Sequence, residues 1–146
     1  MSKFLNNTSE TNLANIMYST VEIVDSIFLN NIAASVNHGF SLMSSNISIT
    51  NSTINYTSVD FLERNSYEVD SGFFNLNQKS TLYLRNTKVE NCRGAMVSFI
   101  YSTGRSQVWI GNGTIIKNAR SLTGDAIIMS MSQSLVIDNT TFWSNS

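Results

Sequence analysis

A phrase of eleven residues recurs along this chain, and this repeat constrains the fold more than any other feature of the sequence. In the copies VWIGNGTIIKN (108–118) and LVIDNTTFWSN (135–145), apolar residues occupy the first, third and eighth places, and asparagine occupies the fifth and eleventh. Successive copies are separated by 26, 35, 26 and 27 residues. A period of about 20 to 50 residues is typical of solenoid proteins, in which each repeat forms one coil. The five copies begin at Val21, Ile47, Leu82, Val108 and Leu135.

Each copy has the apolar spacing of short β-strands. The first and third places are apolar and alternate with other residues, as in a strand with one buried face. An apolar residue returns at the eighth place, and a further apolar run follows, often opened by glycine, as in GFSLM from Gly39. Three short strands per period, without helical spacing, predict an all-β fold. The eighth-place residues are Phe28, Ile54, Val89, Ile115 and Phe142.

We therefore expect a single-stranded parallel β-helix, or β-solenoid, with five to six coils of about 26 residues and three strands per coil. The chain contains no proline, which agrees with stacked strands whose backbone groups must all donate to their neighbours. Residues 1–146 are interpreted as one β-helix segment that is truncated mid-coil at both ends. The 35-residue spacing is interpreted as a loop insertion at 58–72.

The asparagines of the phrase predict two ladders of side-chain amides. At the fifth place the backbone must bend, and Asn tolerates the left-handed conformation that such a bend requires. We expect these side chains to face inward and to bond to the coils above and below. That column is Asp25, Asn51, Asn86, Asn112 and Asn139. A second ladder is expected at the eleventh place, where Thr57 and Cys92 interrupt a column of Asn7, Asn31, Asn118 and Asn145.

The repeat also resembles a known group of sequences. FLNN, FWSN and IIKN match an FxxN element, while GAMV and GDAI match a GGA[IV]-like element with one glycine missing. This pairing resembles the repeats of chlamydial polymorphic outer membrane proteins and of large β-helical surface proteins in ciliates and other protists. The resemblance implies a right-handed parallel β-helix of the pectin-lyase-like kind at the cell surface. It leaves function open, since such repeats occur in adhesins, autotransporter passengers and polysaccharide-active enzymes alike.

Composition excludes several classes of function. A net charge of −1 with 13% charged residues argues against binding to nucleic acid or to an anionic membrane surface. The single cysteine, Cys92, rules out an internal disulfide and a paired-cysteine zinc site. Neither a membrane span nor a signal peptide is visible in the sequence. No cofactor is predicted.

Ionisable residues offer few candidates for chemistry. The densest acidic cluster lies in the 58–72 insertion, and we interpret it as a solvated loop, with a calcium site or a carboxylate pair for sugar cleavage as the alternative. Its members are Asp60, Glu63, Glu68 and Asp70. The only histidine, His38, has no sequence partner that indicates a catalytic triad. No catalytic residue is therefore assigned.

Outward-facing positions are the better candidates for function. At the second place of the phrase, Tyr83 and Trp109 should be stacked neighbours on an outer face, where exposed aromatics usually indicate contact with sugar or protein. A loop of the same chain covering them is the alternative. Of seven N-x-S/T sequons, Asn46 and Asn55 are expected to point outward and to carry glycans if the source is a secreting eukaryote.

Two functions fit these observations. The first is a structural or interaction segment of an extracellular β-solenoid, such as a fibre, stalk or adhesin, with itself or a carbohydrate as partner. Unpaired strand edges at the two ends favour a longer array or end-to-end stacking. The second is a polysaccharide lyase or hydrolase with its site near the 58–72 loop.

Overall fold

The computed structural model of the protein describes residues 2–9, 12–33, 39–58, 72–94, 97–121, 126–131 and 133–146. Among these residues the regular structure is entirely β-strand, arranged as three parallel sheets in a β-solenoid with a period of about 26 residues. About four turns are formed: two of the sheets stack five equivalent strands, separated by four windings, and the third has one further strand at the start of the chain. The predicted five to six coils is therefore slightly too many.

Each coil contributes one strand to each sheet, and all pairings are parallel. Sheet A contains β1 (Ser2–Leu5), β5 (Ser26–Ala33), β8 (Thr53–Ser58), β11 (Lys88–Glu90), β15 (Ile115–Lys117) and β19 (Thr141–Trp143), with the short strands β2 (Thr8–Ser9), β12 (Arg93–Gly94) and β16 (Arg120–Ser121) beside them. Sheet B contains β3 (Ala14–Met17), β6 (Phe40–Met43), β9 (Phe74–Asn77), β13 (Val97–Ser102) and β17 (Ala126–Ser130). Sheet C contains β4 (Thr20–Val24), β7 (Asn46–Thr50), β10 (Thr81–Arg85), β14 (Gln107–Gly111) and β18 (Ser134–Ile137).

The first-place residues of the phrase lie above one another in sheet C. Successive strands pair Val21 with Ile47, Ile47 with Leu82, Leu82 with Val108, and Val108 with Leu135. In the middle coils these side chains are almost fully buried, and each buried aliphatic side chain contributes about 1.5–3 kcal/mol. The predicted strand columns are thus the inner wall of the solenoid.

Aromatic rings fill the interior between sheets A and B. The Phe73 ring is central, with its centroid 4.8 Å from that of Phe74 and 5.2 Å from that of Tyr56. A Cβ on Gly39 would overlap the Phe73 ring of the next coil. The glycine that opens the GFSLM run is therefore explained by a close approach between coils.

The fifth-place corner has the predicted backbone but not the predicted side-chain direction. Its residues have left-handed φ values of 45° to 51°, as the bend requires. All five are exposed, so the expectation that they face inward is wrong. One amide bond is present, from Asn86 Nδ2 to Asn51 Oδ1 at 2.8 Å. The five residues are Asp25, Asn51, Asn86, Asn112 and Asn139.

The buried polar column at this corner is formed by the hydroxyl residue that follows. The Ser52 hydroxyl accepts the Ser26 N–H at 3.1 Å and donates to the Thr50 carbonyl at 2.8 Å. One coil later the Thr87 hydroxyl donates to the Arg85 carbonyl at 2.9 Å, and in the next coil the Thr114 hydroxyl accepts the Thr87 N–H and donates to the Gly111 carbonyl. A short hydroxyl can satisfy a backbone N–H in the next coil from inside the wall, whereas the left-handed residue projects its own side chain outward.

Coil four has one extra residue at its corner, so the predicted eighth-place residue of this coil is wrong by one position. Val89 pairs with Ile116, not with Ile115, and Ile116 is buried while Ile115 is exposed. The chain inserts Gly113 at the corner, where both Asn112 and Gly113 have positive φ. The insertion moves every following residue by one place.

The extra residue Gly113 also changes which residues form the predicted second amide ladder. Asn118 lies at an exposed corner and donates to Asn91 Oδ1 at 3.3 Å, while buried Ala119 takes the eleventh-place position and donates its N–H to Asn145 Oδ1 at 2.8 Å. In the first coils, Asn7 Nδ2 donates to Asn31 Oδ1 at 2.8 Å. The register of sheet A shifts after Phe28, and Asn31 then pairs with Tyr56 instead of Thr57. The second ladder is therefore an amide pair at one end and a single amide at the other.

Candidate functional site

The outer surface of β10 and β14 carries an aromatic pair on a sheet whose register is unbroken. Tyr83 pairs with Trp109 in register, and their ring centroids are 6.5 Å apart with the planes tilted by 46°. Tyr83 is 36% exposed, and Trp109 is half-buried. We name this surface the contact face, and its residues are Thr81, Tyr83, Arg85, Gln107, Trp109 and Gly111.

A cation joins the two rings. The Arg85 guanidinium carbon lies 5.9 Å from the Tyr83 centroid and 5.4 Å from the Trp109 centroid. Both distances fall within the range of cation–π attraction, which contributes about 0.5–1 kcal/mol at an exposed site. Arg85 therefore holds the rings in place and adds a positive charge at one end of the aromatic pair.

Gly111 allows the Trp109 ring to lie down along the strand. A Cβ at position 111 would stand 2.7 Å from Trp109 Cη2 and 2.8 Å from the Asp138 carbonyl oxygen, and neither distance is tolerated. Since outward positions of a strand alternate, the ring of Trp109 covers the next outward position of β14. The indole is thus fixed from one side by Gly111 and from the other by Arg85.

A polar groove adjoins the contact face where the chain turns from sheet B into sheet C. Its volume is about 600 Å³, and it opens between three successive coils. Two of its lining residues are cations, Lys79 and Arg105, and none of the described lining residues is acidic. We name it the corner groove, and its residues are Lys79, Thr81, Gly104, Arg105, Gln107 and Gln133.

A separate ion cluster lies on the outside of sheet A. Glu90 accepts from Lys117 Nζ at 2.9 Å and from Lys88 Nζ at 3.1 Å. Burial alone would raise the pKa of Glu90, but the hydrogen bonds from Lys117 and Lys88 and their charges outweigh it and lower the pKa below its ordinary value. The carboxylate is therefore ionised and paired, which is a structural role.

Cys92 occupies the interior column between Tyr56 and Ala119. It is fully buried, and burial raises the pKa of its thiol to about 12, with the nearby charge of Glu90 acting in the same direction against a backbone hydrogen bond from Tyr56. The thiol is therefore protonated near neutral pH, and Cys92 packs as a small apolar residue of the core.

Exposure does not distinguish the sequon asparagines that were expected to face outward from those that were expected to face inward. Asn46 is exposed at the start of β7, and Asn55 is half-buried on β8. Asn51, Asn112 and Asn139 were expected to be inaccessible, yet all three are exposed. Their corner position, with side chains projecting from a left-handed bend, brings them to the surface.

Several sequence candidates lie outside the described residues. These are the four acids of the insertion, Asp60, Glu63, Glu68 and Asp70, together with His38. Within the part of the chain that the structure describes, three or more His, Cys, Asp or Glu residues are nowhere grouped as they would be around a metal ion. In that same part, the search for a helix long and apolar enough to span a membrane finds none.

Sequence reasoning found the aromatic pair but missed the cations around it. Arg85 follows Tyr83 by two positions, so the period-two rule that places Tyr83 outward also places Arg85 outward. Lys79 and Arg105 precede their strands by two positions and were not considered. Comparisons of the chain with protein-family models, with curated proteins and with solved structures give no significant match.

Proposed function

We propose that this chain is a structural and contact-bearing segment of an extracellular β-solenoid surface protein, such as a fibre, stalk or adhesin. The observation that carries the proposal is the contact face, an aromatic and cationic cluster held on the outside of an unbroken parallel sheet. An adhesive function needs exposed groups of that kind, and a stalk needs a repetitive backbone that keeps them in fixed positions.

Hydrogen bonds between coils at the corners support the mechanical part of the proposal. Between sheets B and C, the Ser19 N–H donates to the Ser45 hydroxyl and the Ser45 N–H to the Ser80 hydroxyl. Corresponding bonds join Ser26 to Ser52 at the next corner. Bonds that run along the solenoid axis resist separation of the coils, because each must break before a coil can peel away.

Exposure of the aromatic pair supports the contact part. Aromatic side chains lose little conformational entropy on binding and bury a large area, so they dominate recognition surfaces. Here the rings are already fixed by Arg85 and Gly111, which lowers the entropic cost of binding further. The partner we propose is carbohydrate or a second copy of the chain, and the role is binding without turnover.

Labelling of intact cells tests the location. Antibodies against the chain should label unpermeabilised cells, and external protease should remove the signal while a cytoplasmic marker survives. Signal that appears only after permeabilisation contradicts the proposal.

Two further experiments test the structural role. Electron micrographs of the native protein should contain slender rods of uniform width. Release of sugar from polygalacturonate, with or without calcium, contradicts binding without turnover.

Glycan occupancy is a further part of this proposal. Asn46 and Asn55 are the proposed acceptors in a secreting eukaryotic source, because both lie on outward positions of strands. Peptide mapping after enzymatic deglycosylation in oxygen-18 water should place the mass increase on these two residues. A peptide map in which neither asparagine carries a glycan contradicts the proposed glycosylation and leaves the proposed structural role unaffected.

A further inference from the structure

We propose that the contact face and the corner groove together form one binding site for an extended polysaccharide bearing carboxylate or sulfate groups. This inference rests on the proposed function, because it names the partner of the same surface. The site follows β10 and β14, with two cations at its start, the two rings in its middle and Arg85 at its far end. From Thr81 to Arg85 the strand spans about 13 Å.

The two cations of the groove are produced by a local change in coil length. Leu76 pairs with Ser102 and Thr81 with Gln107, so four residues form this corner in coils three and four. In coil two only three residues separate the equivalent positions, Leu42 and Asn46. The longer corners bulge outward, and Gln78, Lys79 and Gly104 all have positive φ.

This bulge places Lys79 and Arg105 next to each other on adjacent coils. Their backbone positions are about 4.8 Å apart, both residues line the groove, and no acid is among the described residues that line it. A ligand there needs a negative charge, which both cations attract, and oxygen atoms that accept charge-assisted hydrogen bonds from them. Carboxylate and sulfate groups fit both requirements.

The ring pair supplies the complementary contact for a sugar. A pyranose has an apolar face of C–H groups and an edge of hydroxyls, so it packs on an aromatic face while the hydroxyls bond to polar neighbours. Thr81 and Gln107 lie directly between the cations and the rings along the two strands. A chain that places an acidic group in the groove therefore has hydroxyl partners and then an aromatic platform beneath it.

The charge distribution favours a glycan over a nucleic acid. A single-stranded nucleic acid carries a phosphate on every unit and needs a continuous cationic track. This site has cations only at its two ends, and acids lie near it on the same sheet: Asp138 after the neighbouring strand β18, and Glu22 on β4, two strands from β10. Spaced charges with apolar rings between them match a glycan in which acidic groups alternate with C–H faces.

Biolayer interferometry on the purified protein tests the site with four probes: hyaluronate, which has a carboxylate on alternate units, keratan sulfate, neutral dextran and oligo-dT. The double variant Lys79→Gln, Arg105→Gln should bind the acidic glycans at least about tenfold more weakly. The matched control is Arg93→Gln, Arg120→Gln, which removes the same charge from a stacked pair on sheet A and should change affinity by less than about twofold. Tyr83→Leu keeps the apolar volume and should weaken binding about threefold to tenfold.

Each result decides for or against the site. Binding to either acidic glycan with the predicted order of losses supports it, and the better of the two probes identifies carboxylate or sulfate as the preferred group. Equal losses in the two charge-removal variants, tighter binding of oligo-dT, binding of neutral dextran at the same strength, or binding to none of the probes overturns it. Far-UV circular dichroism keeps folding separate from binding, and Tyr83→Leu still tests the site if a double variant misfolds. If intact cells fail to label while glycan binding persists, only the proposed location is lost.

Discussion

Sheets C and A are built from the same coils, yet the strand register is constant in sheet C and shifted in sheet A. In sheet C all four strand pairings keep one register from β4 to β18. In sheet A the register shifts after Phe28, and the corner before β15 contains the extra residue Gly113. Chain-length variation in these coils is taken up outside sheet C.

The difference teaches where a solenoid can vary without losing its wall. A residue added inside a strand would move all following side chains to the opposite face. A left-handed residue avoids this, either as a bulge inside a strand, as Asn30 does in β5, or at a corner, as Asn112 and Gly113 do before β15. Sheet C keeps one register as a result, and it is the sheet that carries the contact face.

Matched glycine insertions provide the strongest way to break this comparison. A glycine inserted after Tyr83, inside β10, should push Leu84 outward and Arg85 into the wall, and the free energy of unfolding should fall by more than about 4 kcal/mol. A glycine inserted after Asn86 copies the natural Asn112–Gly113–Thr114 corner and should cost less than about 1 kcal/mol. Urea titration followed by circular dichroism measures both. Equal costs would show that sheet C has no special need for register.

Alanine substitution at two adjacent residues tests the shifted register of sheet A. Ile116→Ala should lower the free energy of unfolding by about 2–5 kcal/mol, because it leaves a cavity in the core. Ile115→Ala should change it by less than about 0.5 kcal/mol, since Ile115 lies on the outer face. Chemical denaturation of the two variants is sufficient. A larger loss at Ile115 would restore the sequence-based assignment and contradict the insertion at Gly113.

The left-handed corner gives a smaller effect that sharpens the same comparison. Asn86 has a φ of 45°, and Asn86→Ala should cost about 1–2 kcal/mol because a Cβ without a compensating side chain is strained there. Asn86→Gly should be close to neutral, since glycine accepts this conformation. Thermal unfolding of the two variants separates backbone strain from loss of the Asn51 amide bond. A glycine variant as unstable as the alanine variant would assign the cost to the amide bond instead.

The smallest effect concerns the ion cluster on sheet A. The pKa of Glu90 is lowered in the folded protein from an ordinary value near 4.5, so its pairing stabilises the fold above that pH and is lost as the pH falls through the folded pKa. Glu90→Gln should reduce stability at pH 7 by at most about 1 kcal/mol, because the lysines reach solvent. The gap between the two proteins should close in acid. A gap that widened below pH 4.5 would contradict the assigned direction.

The eleven-residue phrase was sufficient to predict the strands and the inner wall. Apolar residues at every second position indicate which face of a strand is buried. The stacked column of first-place residues, which starts with Val21 and Ile47, could therefore be predicted from the sequence alone. The bend at the fifth place also followed, because few residues other than Asn and Gly accept positive φ. These are local properties, fixed by the residue and its immediate neighbours.

The corners and the site were decided by the tertiary structure. Alternation within strands does not count the residues between them, so only stacking revealed that Ile116 replaces Ile115 and that Ala119 replaces Asn118 in the interior. The sequence pattern also did not predict that the corner hydroxyls, and not the amides, are buried. Lys79 and Arg105 are 26 residues apart in sequence, and they become neighbours only because two consecutive coils lengthen the same corner by one residue.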